Sequence, residues 1–335
     1  MVAVNTSDLH ATAEAMVADG KGILAADESS GTIAKRFAEI SVESTAENRR
    51  GYREALFGAP DLEKYISGVI LYDETIRQQM SDGTPMPRYL ASRGIIPGIK
   101  VDKGLVTFRP GSSEQITEGL DGLNDRLVEY RELGARFAKW RALFHIGPGL
   151  PTELCIHDHA WLLGRYARMC LDNGIVPIVE PEVLMDGDHD MARDADVTRA
   201  VLHAVFAELR AHEIDLRGMV LKPNMVTPGS KVFDSATPAE IARATVDVLR
   251  ECVPAEVPGI AFLSGGQTEA QATKNLDEIA KLGPHPWHIT FSFGRALQAS
   301  ALRAWAGKAS NQEQARQALI DRASENSRVL VAAGR

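Results

Sequence analysis

The sequence predicts a (β/α)8 TIM barrel with an extra N-terminal helix, in one domain covering residues 1–335, on three observations. A length of 335 residues suits one such barrel as well as two smaller domains. Short apolar runs ending in a polar residue or glycine alternate with stretches of helical period, and there are eight of them. No low-complexity tract, charge run or Pro/Gly/Ser linker divides the chain. An open doubly wound sheet usually has fewer strands and a glycine-rich first turn.

About twenty residues of helical character come first, extra to the barrel. The first strand is Gly22 to Glu28 (GILAADE), the second Gly68 to Asp73 (GVILYD) and the third Ile96 to Asp102 (IPGIKVD). Phe137 to Leu143 (FAKWRAL) is the fourth and Ile175 to Glu182 (IVPIVEPE) the fifth, with Gly174 closing the helix that contains Trp161 to Leu171. Pro177 lies inside that fifth run, where a missing donor is unwelcome. Gly218 to Asn224 (GMVLKPN), Gly259 to Gly266 (GIAFLSGG) and His288 to Gly294 (HITFSFG) complete the set. Thr237-Pro238-Ala239-Glu240 reads as a capping box with proline at the first helical position.

Composition narrows the function. Hydrophobic residues at 44% and charged residues at 24% are ordinary globular values, which exclude disorder and disulfide scaffolds. A net charge of −8 and a pI near 5.7 argue against nucleic-acid or anionic-membrane partners, so an anionic ligand needs a local basic pocket. No apolar run reaches a membrane span, and Asp8, Glu14 and Asp19 do not suit a leader peptide; the expectation is a cytoplasmic protein. Cys155, Cys170 and Cys252 form no C-x-x-C pair, which fits a reducing compartment and core packing.

In a parallel barrel the active site gathers at the C-terminal strand ends. Here those ends carry Asp27, Asp73, Lys100, Lys139 with Arg141, Glu180 with Glu182, Lys222, Ser264 and finally Arg295. Period two puts Lys139 and Arg141 on one face, and Glu180 and Glu182 likewise. A buried lysine among other cations is the arrangement that lowers an amine pKa, and Lys222 and Lys139 lie deepest in their runs. At pH 7 an ordinary lysine of pKa about 10.4 is about 0.04% neutral, whereas a shift of about three units frees about a quarter. Glu180 and Glu182 supply proton transfer. Phosphate sites in this fold favour the loops after strands seven and eight, where Ser264-Gly265-Gly266 and Gly294-Arg295 stand. Lys35, Arg36 and Lys100 form a second basic set, expected on the opposite side of the mouth. The implied chemistry is amine catalysis on a substrate with two anionic ends.

Ten blocks then point to a family. They are GKGILAADES (Gly20 to Ser29), IAKR (Ile33 to Arg36), ENRR (Glu47 to Arg50), GIKVDKG (Gly98 to Gly104), FAKWR (Phe137 to Arg141), GIVPIVEPE (Gly174 to Glu182), DGDHD (Asp186 to Asp190), LKPNMVTPG (Leu221 to Gly229), FLSGGQ (Phe262 to Gln267) and GRALQASAL (Gly294 to Leu302). From about Gly20 to Trp305 the chain resembles a class I fructose-bisphosphate aldolase, the Schiff-base type that uses no metal or other cofactor. The resemblance implies Lys222 as the lysine that attacks the ketone, Glu180 as general acid/base, and Glu182 and Lys139 as groups tuning that proton traffic. It implies Asp27 as the carboxylate beside the C4 hydroxyl. Ser264, Gly265, Gly266, Ser292, Gly294 and Arg295 fall at one phosphate; Ser29, Thr32, Arg36 and Lys100 fall at the other, with Arg141 among the substrate contacts. A sugar-phosphate substrate and a homotetramer are also implied. The best-known animal members end in a tail whose tyrosine assists proton transfer at C3, whereas this sequence has no tyrosine after Tyr166. Another group such as Glu180 or a bound phosphate, a slower turnover, or a shortened chain are the open readings. Related substrates, fructose 1-phosphate or sedoheptulose bisphosphate, and a non-catalytic sugar-phosphate-binding barrel are the competing functions.

Other patterns read as structure. LSGGQ at Leu263 to Gln267 matches an ATPase signature, but no G-x-x-x-x-G-K-[ST] loop accompanies it. Asp186, Asp188 and Asp190 mimic an EF-hand start, yet Met191 and Val197 occupy the required glycine and glutamate, which leaves a turn or helix cap. His157 and His159, two apart in a helix, point in different directions and cannot share a metal. Glu180 and Glu182 also have a plain alternative, as ion-pair partners of Lys139 and Arg141.

Overall fold

In the computed structural model, which describes residues 5–332, the chain order of strands is β1 (Gly22–Ala26), β2 (Ile66–Leu71), β3 (Ile96–Lys100), β4 (Leu105–Thr107), β5 (Gln115–Thr117), β6 (Phe137–Phe144), β7 (Val176–Val183), β8 (Val220–Leu221), β9 (Gly259–Phe262) and β10 (His288–Phe293). Eight of them close into a parallel barrel in the spatial order β1-β2-β3-β6-β7-β8-β9-β10, while β4 and β5 pair antiparallel outside it. Every run expected from the sequence is a barrel strand. The expected extra helix is Thr6–Met16, capped by the Asn5 side chain, which accepts the Ser7 N–H.

The differences have local causes. β8 holds only Val220–Leu221: Lys222 still gives its N–H to the Val179 carbonyl of β7, but Pro223, next along, has none to give. Pro177 stays inside β7, opposite Ala138, with Pro181 further along opposite Ala142. All eight residues of β7 are buried, and that apolar gain outweighs the ladder bonds the prolines forgo. The β4–β5 hairpin takes part of the β3-to-β6 connection, which the alternating pattern assigns wholly to helix. A final helix, Gln312–Ala332, docks on the helix Arg295–Trp305 and buries Ala315, Leu319 and Ala323.

Register decides which side chains point inward. Ile23 lies beside Ser292 of β10 and Gly68 of β2, Gly98 beside Phe137, and Lys139 beside both Lys100 and Ile178. Laterally paired residues share a face, so Ile23, Gly68, Gly98, Phe137, Lys139, Ile178, Val220 and Ser292 line the interior. The lower interior is plugged by Phe137: a Cβ on Gly98 would stand 2.2 Å from its ring, and one on Gly68 3.0 Å from it. Glycine is required there by the ring. Trp140, three positions on and so on the other face of the strand, points outward and packs against Tyr166 at 5.6 Å between ring centroids. Threonine caps set the outer helices; Thr237 and Thr268 each make a full capping box.

Candidate active site

Two residues beyond the paired inward positions Ile178 and Val220 stand Glu180 and Lys222, so their side chains converge at the C-terminal end of the barrel. Lys222 Nζ lies 3.0 Å from Glu180 Oε1. Lys139 Nζ stands 2.8 Å from Asp27 Oδ2 and 3.2 Å from Glu180 Oε2. The result is one buried chain of alternating charge, Asp27, Lys139, Glu180, Lys222. Asp27 reaches the interior because a register shift between Gly22 and Ile23 puts Ile23, Ala25 and Asp27 on the inner face.

These groups set one another's protonation. Burial would raise the Asp27 carboxyl, but the charges of Lys139, Lys222 and Lys100 hold it well below the usual carboxylate range. Burial likewise works against ionised Glu180, and Lys139, Lys222 and Arg141 together outweigh it and lower its pKa. Lys139 runs against the sequence expectation. Burial disfavours its charge, yet Asp27, Glu180 and Asp102 overrule burial and push it above the ordinary lysine value. Its neighbours are carboxylates rather than cations. Of the two deep lysines, Lys139 is therefore held as a cation, and Lys222, facing one carboxylate, is the nucleophile candidate.

Glu182 sits one inward position further along β7 and binds Arg141 Nε. The ion-pair alternative weighed for Glu182 is thus its observed contact. Lys100 pairs with Asp102 Oδ1 at 2.6 Å. Asp73, another strand end, faces outward, where Arg77 and Tyr130 take its carboxylate.

The rim beyond β9 and β10 is made differently. Ser264 leads into Gly265 at φ +54 and Gly266 at φ +91, a left-handed turn natural to glycine. Arg295 Nη2 comes within 3.9 Å of where a Gly266 side chain would begin, so the Ser264-Gly265-Gly266 turn and Gly294-Arg295 do meet. Gly294 stands at the N-terminus of the helix Arg295–Trp305, whose first N–H groups lack intrahelical partners. The Ser292 hydroxyl is buried below it with no hydrogen-bond partner among the described residues. Backbone donors, a hydroxyl and a guanidinium converging on one spot are the ingredients of a phosphate site.

The other basic set is partly reassigned. Ser29 caps the helix Ser30–Glu39, accepting the Thr32 N–H at 3.3 Å. Arg36 binds Glu28, and its Nη2 lies 3.8 Å from where a Gly294 side chain would begin. Because β1 closes onto β10, the helix after β1 sits beside the Gly294 turn, so Arg36 flanks that turn and does not face it across the mouth. Sequence reasoning missed the hub that holds Arg36. Glu28 also accepts from Arg53 at 2.6 Å and from Gln298 at 3.0 Å, and Gln298 donates to the Ala25 carbonyl at 2.7 Å. Two adjacent acids ending GILAADE were the available signal. Asn224 was missed as well; its Oδ1 accepts the Val183 N–H at 3.1 Å and its Nδ2 donates to Thr198, tying the segment after Lys222 to β7.

The remaining motifs behave as structure. Asp190 caps the helix Met191–Ala211, His157 is exposed and His159 is buried on the Gln115 carbonyl. Tyr166 is fully buried in the outer layer and donates to the Ile178 carbonyl, so it cannot replace a tail tyrosine. No helix among the described residues is long and apolar enough to cross a membrane.

Comparison with known proteins adds an independent line. A model of the class-I fructose-bisphosphate aldolase family matches residues 8–333. The chain is 50% identical over 324 residues to a probable fructose-bisphosphate aldolase class 1 of Xylella fastidiosa (strain 9a5c), covering 96% of this chain and 97% of that one. It is 51% identical to the cytosolic fructose-bisphosphate aldolase 4 of Arabidopsis thaliana, covering 97% and 83%. Among solved structures, fructose-bisphosphate aldolase of Plasmodium falciparum, in complex with TRAP and a small-molecule inhibitor, superposes with a TM-score of 0.96 at 50% identity, covering 98% of this chain and 95% of that one.

Proposed function

Because the chain belongs to the class I fructose-bisphosphate aldolase family, its activity is the reversible cleavage of fructose 1,6-bisphosphate to dihydroxyacetone phosphate and glyceraldehyde 3-phosphate, and we propose that Lys222 carries it as a Schiff base. The observation that carries the assignment is the buried Lys222 amine 3.0 Å from Glu180, beside a Lys139 whose charge two carboxylates secure.

In this reading Glu180 takes a proton from the Lys222 ammonium, and the freed amine adds to the C2 carbonyl carbon. The adduct moves its extra proton from nitrogen to oxygen. Glu180 then returns its proton to the carbinolamine hydroxyl, which leaves as water and yields the iminium. Asp27 accepts the C4 hydroxyl proton, the C3–C4 electron pair flows into the iminium, and the aldehyde product departs. Protonation of the enamine at C3 and hydrolysis release dihydroxyacetone phosphate. Lys139 keeps Asp27 and Glu180 anionic and oriented, with the Glu182–Arg141 pair supporting the same wall. Ser264, Gly265, Gly266, Ser292, Gly294 and Arg295 hold one phosphate. Arg36, beside the Gly294 turn, adds its guanidinium to that same end, and Ser29, Thr32 and Lys100 serve the other.

Borohydride trapping with dihydroxyacetone phosphate, followed by peptide mass spectrometry, tests site and mechanism together. A stable adduct on Lys222 is expected; an adduct elsewhere, or none in folded protein, overturns the assignment. The same reading takes the chain as one domain, supported by one apolar core shared between the barrel and the flanking helices. It takes the assembly as a homotetramer on family resemblance, checked by light scattering. Likeness to a relative named as cytosolic supports a cytoplasmic location.

A further inference from the structure

On the outer helical ring, apart from the groups assigned to the mouth, three ligand-type side chains converge. His203 comes from the helix Met191–Ala211, and Glu251 and Cys252 are the last two residues of the neighbouring helix Pro238–Cys252. Their ligand atoms all lie within 4.8 Å of one another. His203 Nε2 stands 3.7 Å from Cys252 Sγ and 3.6 Å from Glu251 Oε1. The first is a sulfur–imidazole hydrogen bond and the second a loose ion pair. Both are near the edges of a tetrahedron around zinc: ordinary Zn–S and Zn–N or Zn–O lengths give ligand separations of about 3.6 Å and 3.4 Å.

The surroundings fit as well. Arg199 Nε holds the other oxygen, Glu251 Oε2, at 2.8 Å, and Arg199 Nη1 is engaged by Asp196 at 3.0 Å. The carboxylate is therefore oriented with Oε1 free toward His203 and Cys252, the outer-shell support that ligating carboxylates commonly have. Cys252 is 7% exposed, while His203 and Glu251 are exposed, which leaves a fourth position open to water.

We propose that His203, Glu251 and Cys252 form a binding site for one zinc-class divalent cation that clamps the two helices together. The thiol gives its proton to solvent as the sulfur–metal bond forms, so no redox partner is involved. In a barrel, helices run from the mouth side to the opposite face. Cys252, at its helix end, therefore sits away from the mouth, and the site acts on stability rather than on cleavage.

The test titrates Zn2+ into chelator-stripped full-length protein by calorimetry, with Co2+ as the spectroscopic probe. One equivalent, a thiolate-to-cobalt charge-transfer band and a raised Tm are expected, with aldol cleavage unchanged. Cys252→Ser should abolish the band. His203→Gln, at an exposed position that does not threaten folding, should remove the binding equivalent, and Arg199→Gln should weaken it about 10- to 100-fold. Absence of binding at micromolar Zn2+, binding that survives His203→Gln, or binding displaced by dihydroxyacetone phosphate would each overturn the proposal.

Discussion

The barrel interior at β6 to β8 and the rim beyond β9 and β10 both handle charge, but they are made of different material. The interior uses side chains: Lys139, Glu180 and Lys222 are buried, Asp27 is partly buried, and the four neutralise each other in a row. The rim uses backbone: a glycine turn and a helix N-terminus, with Ser292 and Arg295 added. Buried ions need partners at all times, since each lost partner strands a charge in low dielectric. Backbone dipoles need none. The interior is thus suited to moving protons, and the rim to holding an anion that arrives and leaves.

That contrast can be broken most severely at Lys222. Lys222→Ala should lower turnover at least about a thousandfold in a steady-state cleavage assay while circular dichroism stays unchanged, because Glu180 keeps Lys139 as its partner. Comparable turnover in the variant removes the central assignment.

Lys139→Met should cost about 3–5 kcal/mol in denaturant unfolding, since Asp27 and Glu180 both lose a partner. Its pH signature has a definite sign. Asp27 is depressed from 3.8, so its contribution is present above that value and is lost as pH falls through the lower folded one. Lys139 is raised from 10.5, so its contribution is present below that value and is lost as pH rises through the higher folded one. Wild-type thermal melts should hold across the range between, and in the variant the acid loss should move up towards pH 3.8.

Arg295→Ala addresses the rim, and should raise KM about tenfold to a hundredfold, as expected for one charged hydrogen-bond donor, with little change in Tm. A large stability loss there would erase the distinction between the two regions. Thr237→Ala, on an outer helix cap, is the small reference at about 1 kcal/mol with cleavage unaffected.

Much of this was legible because strand periodicity is rigid. Once FAKWR and IVEPE are strands, Lys139 with Arg141 and Glu180 with Glu182 must share faces, and only the direction inward remains to be seen. The family blocks then marked Lys222 and the glycine turn. What stayed hidden depends on closure and on distances of a few ångströms. The neighbour of β1 is β10, which is why Arg36 lies against Gly294. The direction in which Lys139 shifts follows from carboxylates on β1 and β7, positions distant in sequence. The β4–β5 hairpin and the Glu28 hub rest on tertiary partners with no periodic trace.

Among the described residues, the Phe137 ring fills the lower end of the barrel. With the ring seated over Gly98 and Gly68, and Ile23, Ile178 and Val220 fully buried around it, water cannot drain through the floor. The interior is packed at that lower end, so the charged row of Asp27, Lys139, Glu180 and Lys222 above it is reached from the mouth. A ligand of that row therefore has to come and go by the same side.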